Sequence, residues 1–334
     1  MSPPKFSVYW LSIIVLIGGA PAFAQNPSAH LLVLEKDDQS LAIVDPDHLK
    51  IIRRVHAGED PHEIVVSEDG KFAYISNYGA FSKPLHTLSV VDLVGQNPLP
   101  QVELGSLLAP HGLEIVNGKV YFTAEGSKAI GSYDPVRRQI DWTLGVGQNR
   151  THMLVVSSDE NHVFTSNVNS DSVSILERDK NADVSAWTQT AVRVGKGPEG
   201  FDVSPDGREL WAANSHDGSV SIIDVASRKV TQTLQLHTKM SNRLKFTPDG
   251  KQVLISDLRS GDLVVMDAHG RSEIKRISLG HGAAGILIVP DGSRAFVAVS
   301  PDNTVAAVDL KSLSVTGRIQ TGKGPDGMAW AKAH

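Results

Sequence analysis

The sequence predicts an all-β protein, a seven-bladed β-propeller with four antiparallel strands in each blade. The first observation behind this prediction is a repeat of 42 to 48 residues, marked by a turn of Asp-Gly type. The turn markers are Asp69, Asn117, Asp159, Asp206, Asp249 and Asp291. A repeat of this length that contains four short strands is typical of a propeller blade, whereas a helical solenoid needs longer amphipathic stretches.

The second observation is the order of apolar segments within each copy. In the copy that begins near Gly197, FDVS precedes the turn and ELWAAN follows it. The next apolar run, SIIDV, contains Asp at its fourth position, and KVTQTLQL closes the copy. Short runs rich in Val and Ile, separated by Gly, Asp, Asn and Pro, indicate strands joined by hairpins. Each copy therefore predicts one four-stranded blade.

The two ends of the chain predict the seventh blade. Six complete copies begin near residues 58, 105, 147, 197, 238 and 282. The C-terminal GKGPDGMAWA supplies only a first strand, and the N-terminal segment from His30 to Gly58 supplies a second, third and fourth strand. Joining them in one sheet closes the ring and leaves no long exposed sheet edge. We therefore expect a single propeller domain over residues 25–334.

Residues 1–24 have the pattern of a cleavable signal peptide. Lys5 precedes the apolar run VYWLSIIVLIGGA, and Ala22-Phe23-Ala24 forms a small-x-small cleavage site before Gln25. We expect cleavage after Ala24 and export to the periplasm or beyond, and the alternative is an uncleaved membrane anchor. The rest of the chain has no apolar run long enough to cross a membrane.

Composition excludes several classes of function. The chain has no Cys, which rules out disulfides, iron–sulfur clusters and heme attached through Cys-x-x-Cys-His. The net charge of −5 becomes −6 when Lys5 is removed with the signal peptide, and the basic residues are scattered. Nucleic acid is not expected as a partner, because duplex binding needs a concentrated basic face. We expect a monomer that stays off the membrane after cleavage.

The repeats resemble those of a known family. The units SPDGRELWAANSHDGSVSIIDVASRKV and TPDGKQVLISDLRSGDLVVMDAHG are similar to the YVTN repeats of bacterial seven-bladed propellers, with YISN at 74–77, FTSN at 164–167 and WAAN at 211–214 in the position of the name-giving tetrapeptide. The WD40 signature is absent. The resemblance covers the mature chain and implies that the first strand of each blade lines the channel and begins on the functional face.

One position near the start of that strand varies between blades in a way that suggests a site. We name these residues the first ring: His62, His111, His152, Glu199, Asn242, Ala284 and Asp326. Three His residues with a nearby carboxylate are ligands that Zn, Cu, Ni or Mn accepts. A divalent metal is therefore a candidate cofactor at His62, His111, His152 and Glu199. A metal-free polar ligand pocket and purely structural His residues are the alternatives.

A second ring is expected at the end of the second strand, on the same face. The alignment of the repeats assigns to it Glu35, Asn77, Glu125, Asn167, Asn214, Asp257 and Val299. The predicted ligand-binding set consists of the polar residues of the first ring and all residues of the second ring other than Glu35 and Val299. Asn at a strand end also caps turns through its short side chain, which is the structural alternative. Arg243, next to Asn242, is the one cation assigned to this neighbourhood.

These residues favour a secreted binding or scaffold protein. The polar funnel would capture a small molecule or a protein segment. The alternative is a metal-assisted lactonase or lyase, because residues 110–135 look like a blade of the streptogramin lyase group. In that case a His or Glu125 would act as general base and Arg243 would stabilise an oxyanion. A redox role is not favoured, since nothing in the sequence holds a heme and a copper cluster needs more His residues.

A long segment, YGAFSKPLHT at 78–87, is expected as a loop on the functional face. Tyr78 and Phe81 would form a lid over the channel, or the segment is an ordinary surface loop.

Overall fold

The computed structural model describes Met1 and residues 28–80, 82–179 and 186–333. In this part of the chain, 28 β-strands form seven four-stranded antiparallel sheets. The innermost strand of every sheet contacts the innermost strands of both neighbouring sheets, so the sheets form a ring. The predicted seven-bladed propeller is therefore confirmed. The predicted signal peptide, residues 1–24, lies outside the described residues except for Met1.

The blades are numbered from the first one that is continuous in sequence, and their strands run outward from the channel. Blade 1 contains β4 (Pro61–Val66), β5 (Phe72–Ala80), β6 (Lys83–Asp92) and β7 (Asn97–Glu103). Blade 2 contains β8 (Pro110–Val116), β9 (Lys119–Ala124), β10 (Ala129–Asp134) and β11 (Gln139–Gly145). Blade 3 contains β12 (Thr151–Val156), β13 (His162–Asn167), β14 (Ser172–Asp179) and β15 (Ala186–Arg193).

The remaining blades follow the same plan. Blade 4 contains β16 (Pro198–Val203), β17 (Glu209–Asn214), β18 (Ser219–Asp224) and β19 (Lys229–Gln235). Blade 5 contains β20 (Ser241–Phe246), β21 (Gln252–Asp257), β22 (Asp262–Asp267) and β23 (Ser272–Ser278). Blade 6 contains β24 (Ala283–Ile288), β25 (Arg294–Val299), β26 (Thr304–Asp309) and β27 (Ser314–Gln320).

Blade 7 joins the two ends of the chain, as predicted. Its strands, from the channel outward, are β28 (Pro325–Lys332), β1 (Ala29–Glu35), β2 (Ser40–Asp45) and β3 (Lys50–His56). Short 3-10 turns follow four of the second strands, at Lys36–Asp38, Glu125–Ser127, Val168–Ser170 and Ser300–Asp302. Among the described residues, no helix is long and apolar enough to cross a membrane.

The core lies between the blades. The second and third strands of each blade are buried on both faces, because each sheet packs against a neighbouring sheet on either side. Trp211, Phe122 and Phe296 are the largest fully buried side chains. Truncating such a side chain to Ala typically costs about 3 to 5 kcal/mol. The stability of each blade therefore depends on its neighbours, as in other repeat proteins.

Every innermost strand contains a register shift within its first four residues. In blade 1, Pro61 pairs with Asn77 and Ile64 pairs with Ile75, which leaves His62 and Glu63 without paired partners on β5. The same irregularity occurs in the other six blades. A bulge re-aims the side chains of its unpaired residues. The bulge therefore directs the first-ring residue of each blade toward the mouth of the channel.

Hydroxyl groups satisfy the backbone that these bulges leave unpaired. The Ser76 hydroxyl accepts a hydrogen bond from the Glu63 N–H (3.0 Å) and donates one to the His111 carbonyl in the next blade (2.8 Å). Blades 2, 3 and 5 repeat this arrangement with Thr123, Ser166 and Ser256. One buried hydroxyl thus closes the bulge of its own blade and joins it to the next blade.

The segment 78–87 differs from the predicted loop. Gly79 pairs with Pro84 and Ala80 pairs with Lys83, so β5 and β6 extend as a hairpin beyond the other blades. β5 has nine residues, whereas the second strands of blades 2 to 6 have six. Phe81, the second residue of the predicted lid, lies outside the described residues. The hairpin forms a wall beside the channel mouth.

We expect ring closure by β28 to be required for folding. Removing residues 325–334 leaves the β1 edge unpaired, since Leu32 pairs with Ala329 and Val33 pairs with Met328 in the intact blade. The shortened chain should aggregate or unfold without a cooperative transition in urea, monitored by tryptophan fluorescence. Removal of His334 alone is the control. Cooperative unfolding of the shortened chain at the same urea concentration as the full chain would contradict the closure argument.

Candidate functional site

The structure brings together the His residues of the first ring. The rings of His62 and His111 lie with their centroids 4.9 Å apart, and those of His111 and His152 are 3.8 Å apart. His62 Nδ1 is 3.7 Å from the carboxylate of Asp326, on the blade that precedes it. Four neighbouring blades therefore contribute side chains to one continuous row at the mouth.

The row continues on the other side of His152. His152 Nε2 lies 3.5 Å from Glu199 Oε1, and the Asn242 amide donates to the same oxygen at 3.2 Å. The remaining blade contributes Ala284, which has no polar side chain. Six of the seven first-ring residues thus form an unbroken arc of contacts, and all six are polar.

Glu125 belongs to the site, but its predicted position in the second ring is wrong. Pro110 pairs with Ala124, just as Pro61 pairs with Asn77, so Ala124 occupies the second-ring position of blade 2. Glu125 is the next residue and corresponds to Tyr78 in blade 1. The backbone N–H of each residue donates to the carbonyl of the residue just before the inner strand of its own blade. This one-residue difference carries its carboxylate into the mouth.

The carboxylate of Glu125 is the centre of a buried network. Its Oε1 contacts His152 Nδ1 at very short range. Its Oε2 accepts a hydrogen bond of 2.7 Å from the Tyr78 hydroxyl. Arg150 Nε lies 3.7 Å from the same oxygen. One carboxylate therefore joins side chains from blades 1, 2 and 3.

The buried network sets the charges of its members. Burial lowers the pKa of His111 well below its ordinary value, and the neighbouring His152 adds to this effect. Burial also opposes the charged form of His152, but the carboxylates of Glu125 and Glu199 raise its pKa overall. Burial opposes the ionised form of Glu199, yet the neighbouring His152 lowers its pKa to about 2. The network therefore favours the neutral form of His111 and the protonated form of His152.

The Asn and Asp residues of the second ring direct their side chains to other groups. The Asn77 amide donates to Thr87 and Ser89 on β6, at 2.8 and 2.9 Å. Asn167 and Asn214 make equivalent bonds to Ser residues of their third strands. Asp257 accepts backbone N–H groups of the adjoining loops. These bonds hold each blade's hairpins together, and a part in ligand binding stays a prediction. Glu35, the member from blade 7, is buried and accepts a hydrogen bond from Ser40.

Arg243 lies on the channel wall and is engaged by a carboxylate. Its guanidinium contacts Glu63 on the inner strand of blade 1, across the channel. Two residues further along the same strand, Lys245 lies 3.8 Å from Asp202. Glu114 interacts with both Lys245 and Asp202 at this level. The expectation that Arg243 is the one cation of the site is wrong, because Arg150 also lies there.

A cavity of about 370 Å³ adjoins the mouth on the side of blades 1 to 3. Blade 1 supplies one wall, with Tyr78, Ala80 and Pro84 from the extended hairpin. The other lining residues come from segments next to β8, β9, β12 and β13: Ala109, Glu125, Gly126, Lys128, Asn149, Arg150 and Asn169. Glu125 is thus shared by the cavity and the buried network.

His111, Glu125 and His152 form a group of metal-type donors. One ligand atom from each lies within 4.8 Å of the others. His111 Nδ1 and His152 Nε2 are buried and have no hydrogen-bond partner. Imidazole nitrogen and carboxylate oxygen are donors that Zn²⁺ accepts. This close group shares His111 and His152 with the predicted set of His62, His111, His152 and Glu199, and it includes Glu125. Metal binding by the predicted set stays a prediction.

Sequence reasoning missed Arg150, and it considered Tyr78 only as a lid. Arg150 precedes the inner strand of blade 3 and has a positive φ of 54°. The corresponding residues of blades 4, 6 and 7 are Gly197, Gly282 and Gly324, each with positive φ. An Arg in a position that favours glycine was the signal that could have identified it.

A protein-family model described as the cytochrome D1 heme domain matches residues 115–292, more than half of the chain. Dihydro-heme d1 dehydrogenase of Pseudomonas aeruginosa is 24% identical over 318 residues. The match covers 78% of this chain, and the chain spans 62% of the length of that protein. The resemblance of the blades to YVTN repeats stays a prediction from the sequence.

Two solved structures are similar in fold. A periplasmic gluconolactonase of Pseudomonas aeruginosa superposes with a TM-score of 0.71 and 15% identity, covering 92% of this chain and 99% of that one. A putative 6-phosphogluconolactonase of Bacteroides uniformis gives a TM-score of 0.75 and 14% identity, covering 92% of this chain and all of the other. At these identities the likeness shows the fold alone.

The described residues of the mouth do not fit ligation of a heme iron. An axial His must present a free nitrogen to a space that accepts the macrocycle. His111 and His152 are 3% and 2% exposed, and their rings lie 3.8 Å apart under Tyr78 and Glu125. No imidazole is among the residues that line the described cavity. The buried nitrogens suit a single ion, which needs no such space.

The charged residues of the channel wall lead us to expect that the stability of the protein depends on pH. Burial raises the pKa of Glu114 to about 7, with Lys245 acting against this effect and Asp202 adding to it. The native state therefore holds the Glu114 proton up to a higher pH than the unfolded state. The wild type should lose stability relative to Glu114→Gln as pH rises from about 4.5 to 7, by about 1 to 3 kcal/mol.

Urea unfolding of both proteins at several pH values between 5 and 8 measures this difference. Glu59→Gln, which removes a surface carboxylate, is the matched control. A difference between wild type and Glu114→Gln that does not change with pH would show that the native carboxyl has no raised pKa.

Proposed function

The chain belongs to the cytochrome D1 heme domain family, and we propose that it is an exported binding protein whose channel mouth holds a divalent metal ion and captures a small organic ligand. The observation that carries this proposal is the convergence of His111, Glu125 and His152. Their donor atoms come from two inner strands and the turn after β9, and lie within 4.8 Å of one another.

The chemistry of the three donors suits a borderline metal ion. Neutral imidazole binds Zn²⁺, Ni²⁺ and Cu²⁺, and a carboxylate adds negative charge. The same carboxylate donor widens the candidates to Mn²⁺. Two His and one Glu leave a coordination position for water or a ligand, as in open zinc sites. Heme is not part of the proposal, because the mouth does not fit it.

A neighbouring side chain supports one of the three donors. Tyr78 donates its hydroxyl hydrogen bond to Glu125. Such an outer contact orients a metal ligand and raises the affinity of the site.

The second candidate function is a metal-assisted hydrolase acting on a lactone or ester. It is favoured by the two-His, one-Glu donor set, which in open zinc sites activates water or polarises a carbonyl. In this version Glu125 holds the metal rather than acting as general base. Arg150 is better situated than Arg243 to face a reacting group, since Arg243 is engaged by Glu63 inside the channel.

Export to the periplasm completes the proposal. It rests on the signal-like residues 1–24 and is consistent with a fold relative described as a periplasmic gluconolactonase. The monomeric state and the absence of nucleic-acid partners stay predictions from composition.

We expect the mature protein, purified without chelators or an affinity tag, to contain about one equivalent of divalent metal by elemental analysis. His111→Gln and Glu125→Gln should each lose the metal, because each removes one of three donors. His62→Gln should retain it, since His62 lies outside the close group. His281→Gln, at an exposed position, controls for adventitious binding.

Circular dichroism must confirm that each variant is folded. Loss of the metal in folded His111→Gln, with retention in His62→Gln, supports the proposed donor set. Equal loss of the metal in His62→Gln would instead support the ligand set predicted from the sequence. A protein that stays metal-free after soaking in Zn²⁺ and desalting would refute the metal site.

A further inference from the structure

The cavity beside the mouth has a charge that the buried network does not account for. Arg150 and Lys128 both line it, and Glu125 is its one acidic lining residue. Among the described lining residues, two cations against one carboxylate leave this cavity positive.

Arg150 is arranged to receive an anion. It approaches Glu125 through Nε, at 3.7 Å, and its side chain is 30% exposed. Its Nε is buried and has no hydrogen-bond partner among the described residues. A guanidinium presents parallel N–H groups that match the two oxygens of a carboxylate. Lys128, on an exposed turn of blade 2, adds a second positive charge to the same cavity.

The opposite wall is apolar. Ala80 and Pro84 come from the extended hairpin of blade 1, and Ala109 precedes β8. The cavity volume of about 370 Å³ lies near the lower end of the range for small-molecule sites. A ligand that fits these walls has an apolar body and one anionic end.

We infer that this cavity binds a small organic acid, with its carboxylate at Arg150 and Lys128 and its apolar body against Ala80, Pro84 and Ala109. This inference extends the proposed function and rests on it, because Glu125 belongs to both the metal site and the cavity. It names the chemical class of the captured ligand. An inorganic anion would contact only the two cations, and a neutral apolar molecule would contact only the apolar wall.

Four probes separate the contributions of the two walls in isothermal titration calorimetry. Hexanoate carries both features, hexanamide has the same body without charge, acetate has the charge with almost no body, and inorganic phosphate is an anion without a carbon chain. Hexanoate should bind at least tenfold more tightly than each of the other three. Equal binding of hexanamide or of phosphate would overturn the inference.

Two variants test the cations. Arg150→Gln should weaken hexanoate binding at least tenfold, because it removes a charge-assisted contact in a partly buried place. Lys128→Gln should have a smaller effect, about twofold to fivefold, since Lys128 is exposed. Arg208→Gln, on the exposed Asp206–Arg208 turn, is the matched control and should bind as the wild type does. Undiminished hexanoate binding by Arg150→Gln would overturn the inference.

Titrations of the metal-loaded and the chelator-treated protein distinguish this inference from the metal proposal. Hexanoate binding that depends on Arg150 in both forms supports the cavity even if no metal is found. A protein that holds metal but does not bind hexanoate overturns the organic-acid inference and leaves the metal site intact. Hexanoate binding that requires the metal and is unchanged in Arg150→Gln also overturns the organic-acid inference, since the anion then binds the ion directly.

Discussion

The bulge in each innermost strand is the constraint on which the rest of the molecule depends. A regular strand would alternate its side chains between the two faces of the sheet. The bulge breaks this alternation at the second and third residues, and it does so in all seven blades. It leaves backbone groups that need partners, and in four blades a buried hydroxyl such as Ser76 supplies them. The same hydroxyl joins neighbouring blades, so the geometry of the mouth and the cohesion of the ring have one cause.

The repeat made the scaffold predictable. Because every blade must bury both faces against its neighbours, the strand and turn pattern recurs with little change, and blade number, strand order and ring closure follow from it. The first-ring positions were predictable for the same reason, since the residue after the inner-strand start differs between blades while its surroundings do not. His111 and His152 could therefore be recognised from their place in the repeat.

The composition of the site was less predictable, because it depends on departures from the repeat. Glu125 was assigned to the position that Ala124 occupies, because the repeats were aligned at the turn and the Asn117-Gly118 turn of blade 2 is shorter than the turn of blade 1. Tyr78 reaches Glu125 because the hairpin of blade 1 continues past Asn77, which looked like a loop in the sequence. The Asn residues looked like funnel residues but bond within their own blades, because a short amide next to Ser and Thr hydroxyls finds partners locally. Local turn lengths and side-chain hydrogen bonds, which differ from blade to blade, decide these cases.

X-ray absorption spectroscopy of the metal-loaded protein tests the central claim most directly. The account predicts a first shell of nitrogen and oxygen atoms with the outer-shell scattering of two imidazole rings, reduced to one ring in His111→Gln. A shell with no imidazole scattering would contradict the assignment of His111 and His152. The four equivalent nitrogens of a tetrapyrrole would contradict the conclusion that this mouth holds a single ion in place of heme.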